Sequence, residues 1–189
     1  MNLNTKDKTI FEKMQLLMDY IDLDSEIIPI STDNEIEQLF IRMMEGEPEQ
    51  GIPEIVLKLM FLNDINKVID KGTQGQDLNR TDLLQFYIDF PIKVTEKNII
   101  EMSSLIIRFN SLIPVGGFGI NDKNEVYFRY VLVVESRDFN AVIVTETLSL
   151  ISFFIEILGS QLIELAEGRK SFQKSFEDGI KSLNQVVSE

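Results

Sequence analysis

Apolar residues recur at helical spacing in two stretches of the chain. They follow three- and four-residue steps over residues 9–22, and they do so again over 95–112. Such spacing gives each helix one apolar face, which needs a surface to pack on. We expect Thr95 to be the N-cap of the second helix, because its hydroxyl can accept a hydrogen bond from a free N–H of the first turn.

Alternation of apolar and polar residues predicts strands elsewhere. The cleanest alternation covers 84–92, and a second run covers 54–62. Two more strands, 115–120 and 125–135, flank four turn-forming residues at 121–124 and so predict a hairpin.

The segment 35–44 is ambiguous between helix and strand. Its apolar residues fit one helical face, and they also fit a strand that is partly buried on both sides. We favour the strand, because the turn-rich stretch 45–51 beside another extended segment suits a loose hairpin. The stretch 26–30 is a candidate for a short extended piece, and the weakly periodic stretch 63–81 predicts a long loop.

Residues 142–167 are apolar nearly all round, and Gly168 follows as a candidate C-terminal cap. A helix of this composition is buried on more than one side, so we expect it to lie against a sheet and a second surface, such as another copy of the chain. Residues 169–189 carry apolar side chains at three- and four-residue steps, which predicts a short amphipathic helix or a tail that folds on docking.

These elements predict an α+β fold in the order α-β-β-β-α-β-β-α. We expect one sheet of about five strands with helices packed on one face, followed by the C-terminal amphipathic helix or tail. One domain of 1–168 with an appendage of 169–189 suits a chain of 189 residues, which is long enough to bury a core.

Charge narrows the classes of partner. The 31 acidic and 18 basic side chains give a formal net charge of -13, which repels phosphate backbones and anionic lipid surfaces. We therefore expect no nucleic-acid partner and no membrane partner. The most apolar stretch, 148–158, is short and contains Glu156, and the N-terminus lacks a secretory apolar region, so we expect a cytoplasmic protein.

The side chains that most hydrolytic and redox enzymes use are missing. The chain has no Cys and no His, which removes thiolate nucleophiles, the usual general base and the commonest zinc ligands. The carboxylate pairs that remain for a small-ligand or metal-binding enzyme are Glu125 with Glu135 and Asp82 with Asp89. The glycine-rich stretch 114–119 leaves a helix instead of opening one, so we interpret it as structural. We expect no catalytic residue, no metal and no cofactor.

The second face of the predicted sheet is only partly polar. If helices cover one face, the opposite face carries the mixed apolar and aromatic surface that is typical of partner-binding patches. We predict that a partner protein binds there, at Val56, Met60, Leu62, Tyr87, Tyr127, Arg129, Val131 and Val133. The alternative is that the long helix or the terminal helix covers this face within one subunit.

Four features of the chain occur together in one known group of proteins. They are the strand 83–91, the helix after Thr95, the phrase LIPVGGFG at 112–119, and the strand 126–134 that follows a short polar turn. On these features, which span roughly 9–167, the chain resembles the YbjN family and the wider group with the fold of type III secretion chaperones.

The resemblance implies a small twisted antiparallel sheet with helices on one side, a homodimer, and a surface that receives an extended or amphipathic segment of a client. The implied function is a non-catalytic, chaperone-like or regulatory protein-binding module that holds its client through a sheet face or edge. A second hypothesis is an adaptor that reads a folded partner through the long C-terminal helix and tail. The loop with Gly72 and Gly75 and the tail beyond Gly168 depart from the family pattern.

Overall fold

The computed structural model describes residues 8–32, 34–46, 54–64, 81–135 and 138–187. In chain order, the helices and strands in these ranges are α1 (Ile10–Tyr20), β1 (Ser25–Ile28), β2 (Gln38–Met44), β3 (Ile55–Phe61), β4 (Thr81–Lys93), α2 (Ile99–Asn110), β5 (Gly117–Ile120), β6 (Glu125–Glu135), α3 (Ala141–Phe154), α4 (Ser160–Ala166) and α5 (Phe172–Val187). A π-helical turn, Ile155–Gly159, joins α3 to α4.

The strands form one antiparallel sheet in the order β1-β2-β3-β4-β6-β5, and helices pack against it. The predicted α+β class is therefore confirmed. The sheet has six strands because the candidate extended piece at 26–30 forms the edge strand β1. The strand interpretation of 35–44 is also confirmed, since β2 pairs with β3. Most of the predicted loop 63–81, with Gly72 and Gly75, and of the turn 45–51 lies outside the described residues.

The chain forms two compact units, and strands β4 and β6 contribute residues to both. The first unit comprises Met1–Ile88 and Tyr130–Ala141, and the second comprises Asp89–Arg129 and Val142–Glu189. The predicted boundary at residue 168, between the domain and its C-terminal helix or tail, stays a prediction.

The first unit packs α1 against strands β1 and β2. Helix α1 begins with a capping box, in which the Thr9 hydroxyl accepts from the Glu12 N–H at 3.2 Å and the Glu12 carboxylate accepts from the Thr9 N–H at 2.6 Å. Its buried side chains are Phe11, Met14 and Met18. The Phe11 ring lies 5.6 Å from that of Phe61, so α1 covers the sheet face on which Phe61 lies.

The second unit is built around a group of aromatic rings on strands β4, β5 and β6. The Phe118 ring centroid lies 5.6 Å from that of Phe90 and 5.3 Å from that of Phe128, and all three side chains are buried. Gly159 of the π-helical turn packs on Phe90, because a Cβ added there would lie 2.9 Å from the ring. The π-helical turn thus brings the long helix onto the aromatic core.

Helix α2 begins later than the sequence suggests, and the predicted N-cap at Thr95 is wrong. The N-cap position is Asn98, and α2 starts at Ile99. The Asn98 Oδ1 accepts hydrogen bonds from the backbone N–H of Thr95 at 2.8 Å and from its hydroxyl at 2.9 Å. The reason is that the Asn98 amide closes a local turn with Thr95, which competes with capping.

The predicted cap at Gly168 is confirmed. Gly168 has a φ of 71°, its N–H donates to the Leu165 carbonyl at 3.1 Å, and the Arg169 N–H donates to the Glu164 carbonyl at 3.0 Å. This pair of bonds is a Schellman motif, which glycine permits at positive φ. The following residues form helix α5, which packs on α2 and α4.

The long helix Ala141–Ala166 is, among the described residues, long and apolar enough to cross a membrane by length and composition. The stretch 148–158 is too short by itself to cross a membrane, and the sequence-based expectation depended on that length. The expectation is corrected here, because the helix that contains this stretch continues unbroken through the π-helical turn. Its most apolar window has a mean hydropathy of 2.0 and is 39% buried. One such helix is weak evidence for a span, since core helices of globular proteins have the same character.

The long helix also keeps apolar side chains in contact with solvent. Val142, Ile143 and Leu150 are exposed, so the expected burial all round is not complete within one copy of the chain. The homodimer stays a prediction.

Candidate functional site

A row of four side chains crosses strands β1 to β4 in the first unit. Glu26 lies opposite Phe40, Phe40 opposite Lys58, and Lys58 opposite Tyr87. Directly opposite residues of antiparallel strands point to the same side of the sheet. These four residues, called the central row below, alternate with the buried residues Leu39, Leu57 and Phe86, so they lie on the face away from the core. We call that face of the first unit the open face.

The central row alternates charge and aromatic surface. The Lys58 ammonium lies 5.6 Å from the Phe40 ring centroid, which is within reach of a cation–π interaction. Phe40, Lys58 and Tyr87 are half-buried, whereas Glu26 is exposed. The row therefore presents two ring surfaces to solvent, with a carboxylate at the edge of the sheet.

A second row, one step along the strands, centres on Arg42. Arg42 lies opposite Val56, and its N–H donates to the Asp24 carbonyl at 2.9 Å. Its guanidinium bonds two carboxylates, with Nε donating to Glu54 Oε1 at 2.7 Å and Nη1 donating to Asp24 Oδ2. The hydrogen bond that Arg42 donates to Glu54, and then the charge of Asp24, raise the pKa of Arg42, which stays charged at every physiological pH.

The two rows surround a shallow hollow of about 270 Å³ on the open face. It is lined by Asp24, Ser25, Glu26, Phe40, Arg42, Glu54 and Val56. Carboxylates and one guanidinium thus stand beside aromatic and aliphatic surface, a mixture that suits recognition of a polypeptide.

The predicted partner-binding residues of the first unit differ in accessibility. Val56 and Tyr87 belong to the two rows and are half-buried. Met60, opposite Gln85, is only 8% exposed, and Leu62 directly after β3 is half-buried. On β6, the side chain of Val131 is half-buried and that of Val133 is 60% exposed.

The predicted residues of the second unit lie over glycines. Tyr127 is opposite Gly119, and Arg129 is opposite Gly117. A Cβ on Gly119 would lie 2.4 Å from Tyr127 Cζ, so the Tyr127 ring occupies the space above this glycine. Gly116, at φ 68°, is the second position where the stretch 114–119 requires glycine, in accord with a structural role.

Sequence reasoning missed Glu26, Phe40 and Arg42. The sequence placed Phe40 and Arg42 on alternate positions of a candidate strand, but the partners of that strand were unknown. Only the register shows that they lie beside Val56 and Lys58.

The outer edge of the sheet at β5 is occupied by a side chain of α2. The Asn110 amide accepts from the Phe118 N–H at 2.8 Å and donates to the Phe118 carbonyl at 2.9 Å. It thereby takes both of the backbone groups that a further strand would pair with at this residue. A Cβ on Gly117 would lie 3.1 Å from Asn110 Oδ1, which leaves little room for a side chain there.

The opposite edge, at β1, is partly closed in the same way. The backbone hydrogen bond from Arg42 to Asp24 makes these residues a hydrogen-bonded pair of the antiparallel ladder. Hydrogen-bonded and non-hydrogen-bonded pairs alternate along such a ladder, so the N–H and C=O groups of Ser25, the next residue, point away from β2. Gln15 of α1 donates its Nε2 to the Ser25 carbonyl at 3.0 Å. A carboxamide from a neighbouring helix thus satisfies outward backbone groups at both ends of the sheet.

The two candidate carboxylate pairs do not converge. Glu125 and Glu135 are the first and last residues of β6, about 33 Å apart at the usual rise of a strand. Asp82 is buried and Asp89 is exposed, and their odd separation places them on opposite sides of β4. Paired glycosidase carboxylates lie roughly 5–9.5 Å apart. No group of three or more His, Cys, Asp or Glu side chains suited to a metal occurs in the described part of the chain.

Comparison with known proteins finds no matching protein-family model and no matching curated protein.

Proposed function

We propose that the protein is a non-catalytic protein-binding module, chaperone-like or regulatory, that holds a partner polypeptide against the open face of its first unit. The observation that carries this proposal is the pair of rows across β1 to β4. They combine two partly exposed aromatic rings, one arginine and several carboxylates around a hollow. Aromatic residues and arginine are the side chains most enriched in protein interfaces.

The two sheet edges favour binding on the face over strand addition. Asn110 bonds both outward backbone groups of Phe118, and Gln15 bonds the outward carbonyl of Ser25. A strand added at either edge would first have to displace these amides, whereas the open face needs no such rearrangement. The partner's affinity would then come from side-chain contacts.

The resemblance to the YbjN family supplies the rest of the proposal. It supports a client that binds as an extended or amphipathic segment, and a homodimer. The net charge of -13 supports a partner that is neither nucleic acid nor membrane, and the proposed setting is cytoplasmic. The absence of His and Cys from the sequence supports a binding role over catalysis.

The experiment compares partner capture by variants of the open face with capture by a matched variant elsewhere. Val56→Lys and Val133→Lys place a positive charge on a half-buried and on an exposed position, and Ile107→Lys does so on α2, where Ile107 is 70% exposed. Met60 is unsuitable, because charge at a buried position would unfold the protein. Immobilised proteins are incubated with extract of the native cell, and captured proteins are quantified by mass spectrometry.

We expect wild type and Ile107→Lys to capture a common set of proteins in equal amounts. Those proteins should be missing from the Val56→Lys and Val133→Lys samples. Far-ultraviolet circular dichroism and urea midpoints establish that all variants are folded. Undiminished capture by both open-face variants would contradict the proposal, and loss only in Ile107→Lys would move the binding surface to α2.

A further inference from the structure

The acidic charge of the chain is concentrated in the part of the sequence that contributes β1 and β2 to the open face. Between residues 19 and 54 the sequence holds eleven acidic side chains and one basic side chain, Arg42. The exposed acidic residues that the structure describes in this stretch are Asp19, Asp22, Asp24, Glu26, Glu35, Glu45 and Glu54. Such a field attracts a cationic polypeptide, and it disfavours nucleic acid or a second copy of this acidic chain as the occupant of the open face.

The hollow already binds one cationic side chain of the protein itself, and a cationic side chain of a partner would be bound in the same way. Asp24 and Glu54 both bond the Arg42 guanidinium, although that side chain is 44% exposed. Glu26 adds a carboxylate to the lining, and Phe40 and Val56 add apolar surface. Carboxylates beside apolar surface fit the charged head and the aliphatic stem of Lys or Arg.

From this charge and geometry, and resting on the proposed function, we propose that the partner segment on the open face is basic and amphipathic. Its Lys or Arg side chains bond Asp24, Glu26 and Glu54, and its apolar side chains pack on Phe40 and Val56. Arg42 is then an internal competitor, since it occupies two of the same carboxylates.

Because Arg42 competes with the partner, the proposal predicts opposite effects on binding for two kinds of substitution. Removing carboxylates by Glu26→Gln with Glu54→Gln should weaken binding of a basic segment. Removing the competitor by Arg42→Ala should strengthen it, because Asp24 and Glu54 lose their internal cation. Unspecific attraction to a negative protein also predicts weakening by the first change, so a matched pair, Glu96→Gln with Glu101→Gln in the second unit, serves as the control. Both control residues are exposed.

Fluorescence anisotropy measures binding of a labelled synthetic peptide in which Arg alternates with Val. We expect saturable binding to wild type, about tenfold weaker binding to the Glu26 and Glu54 variant, and tighter binding to Arg42→Ala. The control variant should bind as wild type does. A peptide with Ser in place of Val tests the apolar contribution and should bind more weakly, and a peptide with Glu in place of Arg should not bind.

Equal weakening by both double variants, equal binding of the Ser peptide, or preference for the Glu peptide would each overturn the proposal. A peptide that binds more weakly to Arg42→Ala would do so as well. The proposed function fails separately. If Val56→Lys still abolishes capture from extract while the Arg peptide does not bind, the open face binds a partner of different chemistry. If neither effect is seen, both proposals fall.

Discussion

The two compact units of the chain differ in where they place charge and packing. The first unit carries 19 acidic and nine basic side chains. Among its described residues, one helix longer than a single turn, α1, packs on the strands of the sheet. The second unit carries 12 acidic and nine basic side chains, and it stacks α2, α4 and α5 around aromatic rings. The proposed binding surface thus lies in the first unit and the stacked helices in the second, so substitutions in the two units should differ in their effects on partner capture and on stability.

Removal of helix α5 should have the largest effect on stability. The Phe176 ring of α5 stacks 6.3 Å from that of Phe109, and Ser175 and Gly179 are buried. Ending the chain after Gly168 uncovers Phe109, so we expect a loss of at least about 3–5 kcal/mol, the usual cost of deleting one large buried side chain. Urea unfolding followed by circular dichroism measures it. If residues 169–189 were a separable tail through which an adaptor reads its partner, the urea midpoint would not change on truncation. That result would contradict our description of the second unit.

Two phenylalanines, one in each unit, make a matched pair. Phe118→Ala removes a buried ring that contacts Phe90 and Phe128, and should cost about 3–5 kcal/mol. Phe40→Ala removes a half-buried ring of the central row, and should cost about half as much while weakening partner capture. Chemical denaturation and capture from extract are measured on the same preparations. Equal stability losses, with capture unaffected by Phe40→Ala, would remove the distinction between the units.

A smaller effect is expected at Gly119, beneath the Tyr127 ring. Gly119→Ala places a methyl group against that ring and should cost about 1–3 kcal/mol. In a Tyr127→Ser background the same change should cost much less, because the obstructing ring is gone. The double-mutant cycle, measured by urea unfolding, isolates this interaction. Additive costs would show that Tyr127 does not lie over the glycine.

The smallest effect concerns Asp178 on α5, whose carboxylate bonds Lys174 at 2.8 Å and Lys170 at 2.9 Å. These hydrogen bonds, from Lys174 first and Lys170 second, lower the pKa of Asp178. A lowered carboxyl pKa stabilises the fold above the ordinary value of 3.8, and this contribution is lost as the pH falls through the folded value. Asp178→Asn should therefore be slightly less stable at neutral pH, with the difference closing in acid. An NMR titration that finds the ordinary pKa would refute this.

Local signals in the sequence predicted most of the elements. Alternation gave β6 its bounds at residues 125 and 135, and Gly168 ended the long helix as expected. Thr95 failed as an N-cap because Asn98, three residues later, offers an amide that closes a turn with it. A choice between two polar side chains three residues apart depends on loop geometry, which the periodicity of the sequence does not contain.

The candidate site was less predictable than the fold, because it depends on pairing between distant segments. Arg42 meets Asp24 across 18 residues and Glu54 across 12, and neither spacing marks a motif. The alternation of β3 places Met60 on the side of the open face, and its side chain is nevertheless buried. An alternating pattern predicts the side of a strand to which a residue points, but it does not predict what covers that side. Strand order and register were needed to assemble the central row.

The most direct test of binding at the open face is site-specific photocrosslinking in the native cell. A photoreactive amino acid replaces Val56 in one variant and Ile107 in a second, and adducts are resolved by mass on denaturing gels. Our account predicts a discrete adduct with another protein from position 56 and none of that mass from position 107. Adducts of the same mass and yield from both positions, or from position 107 alone, would contradict it.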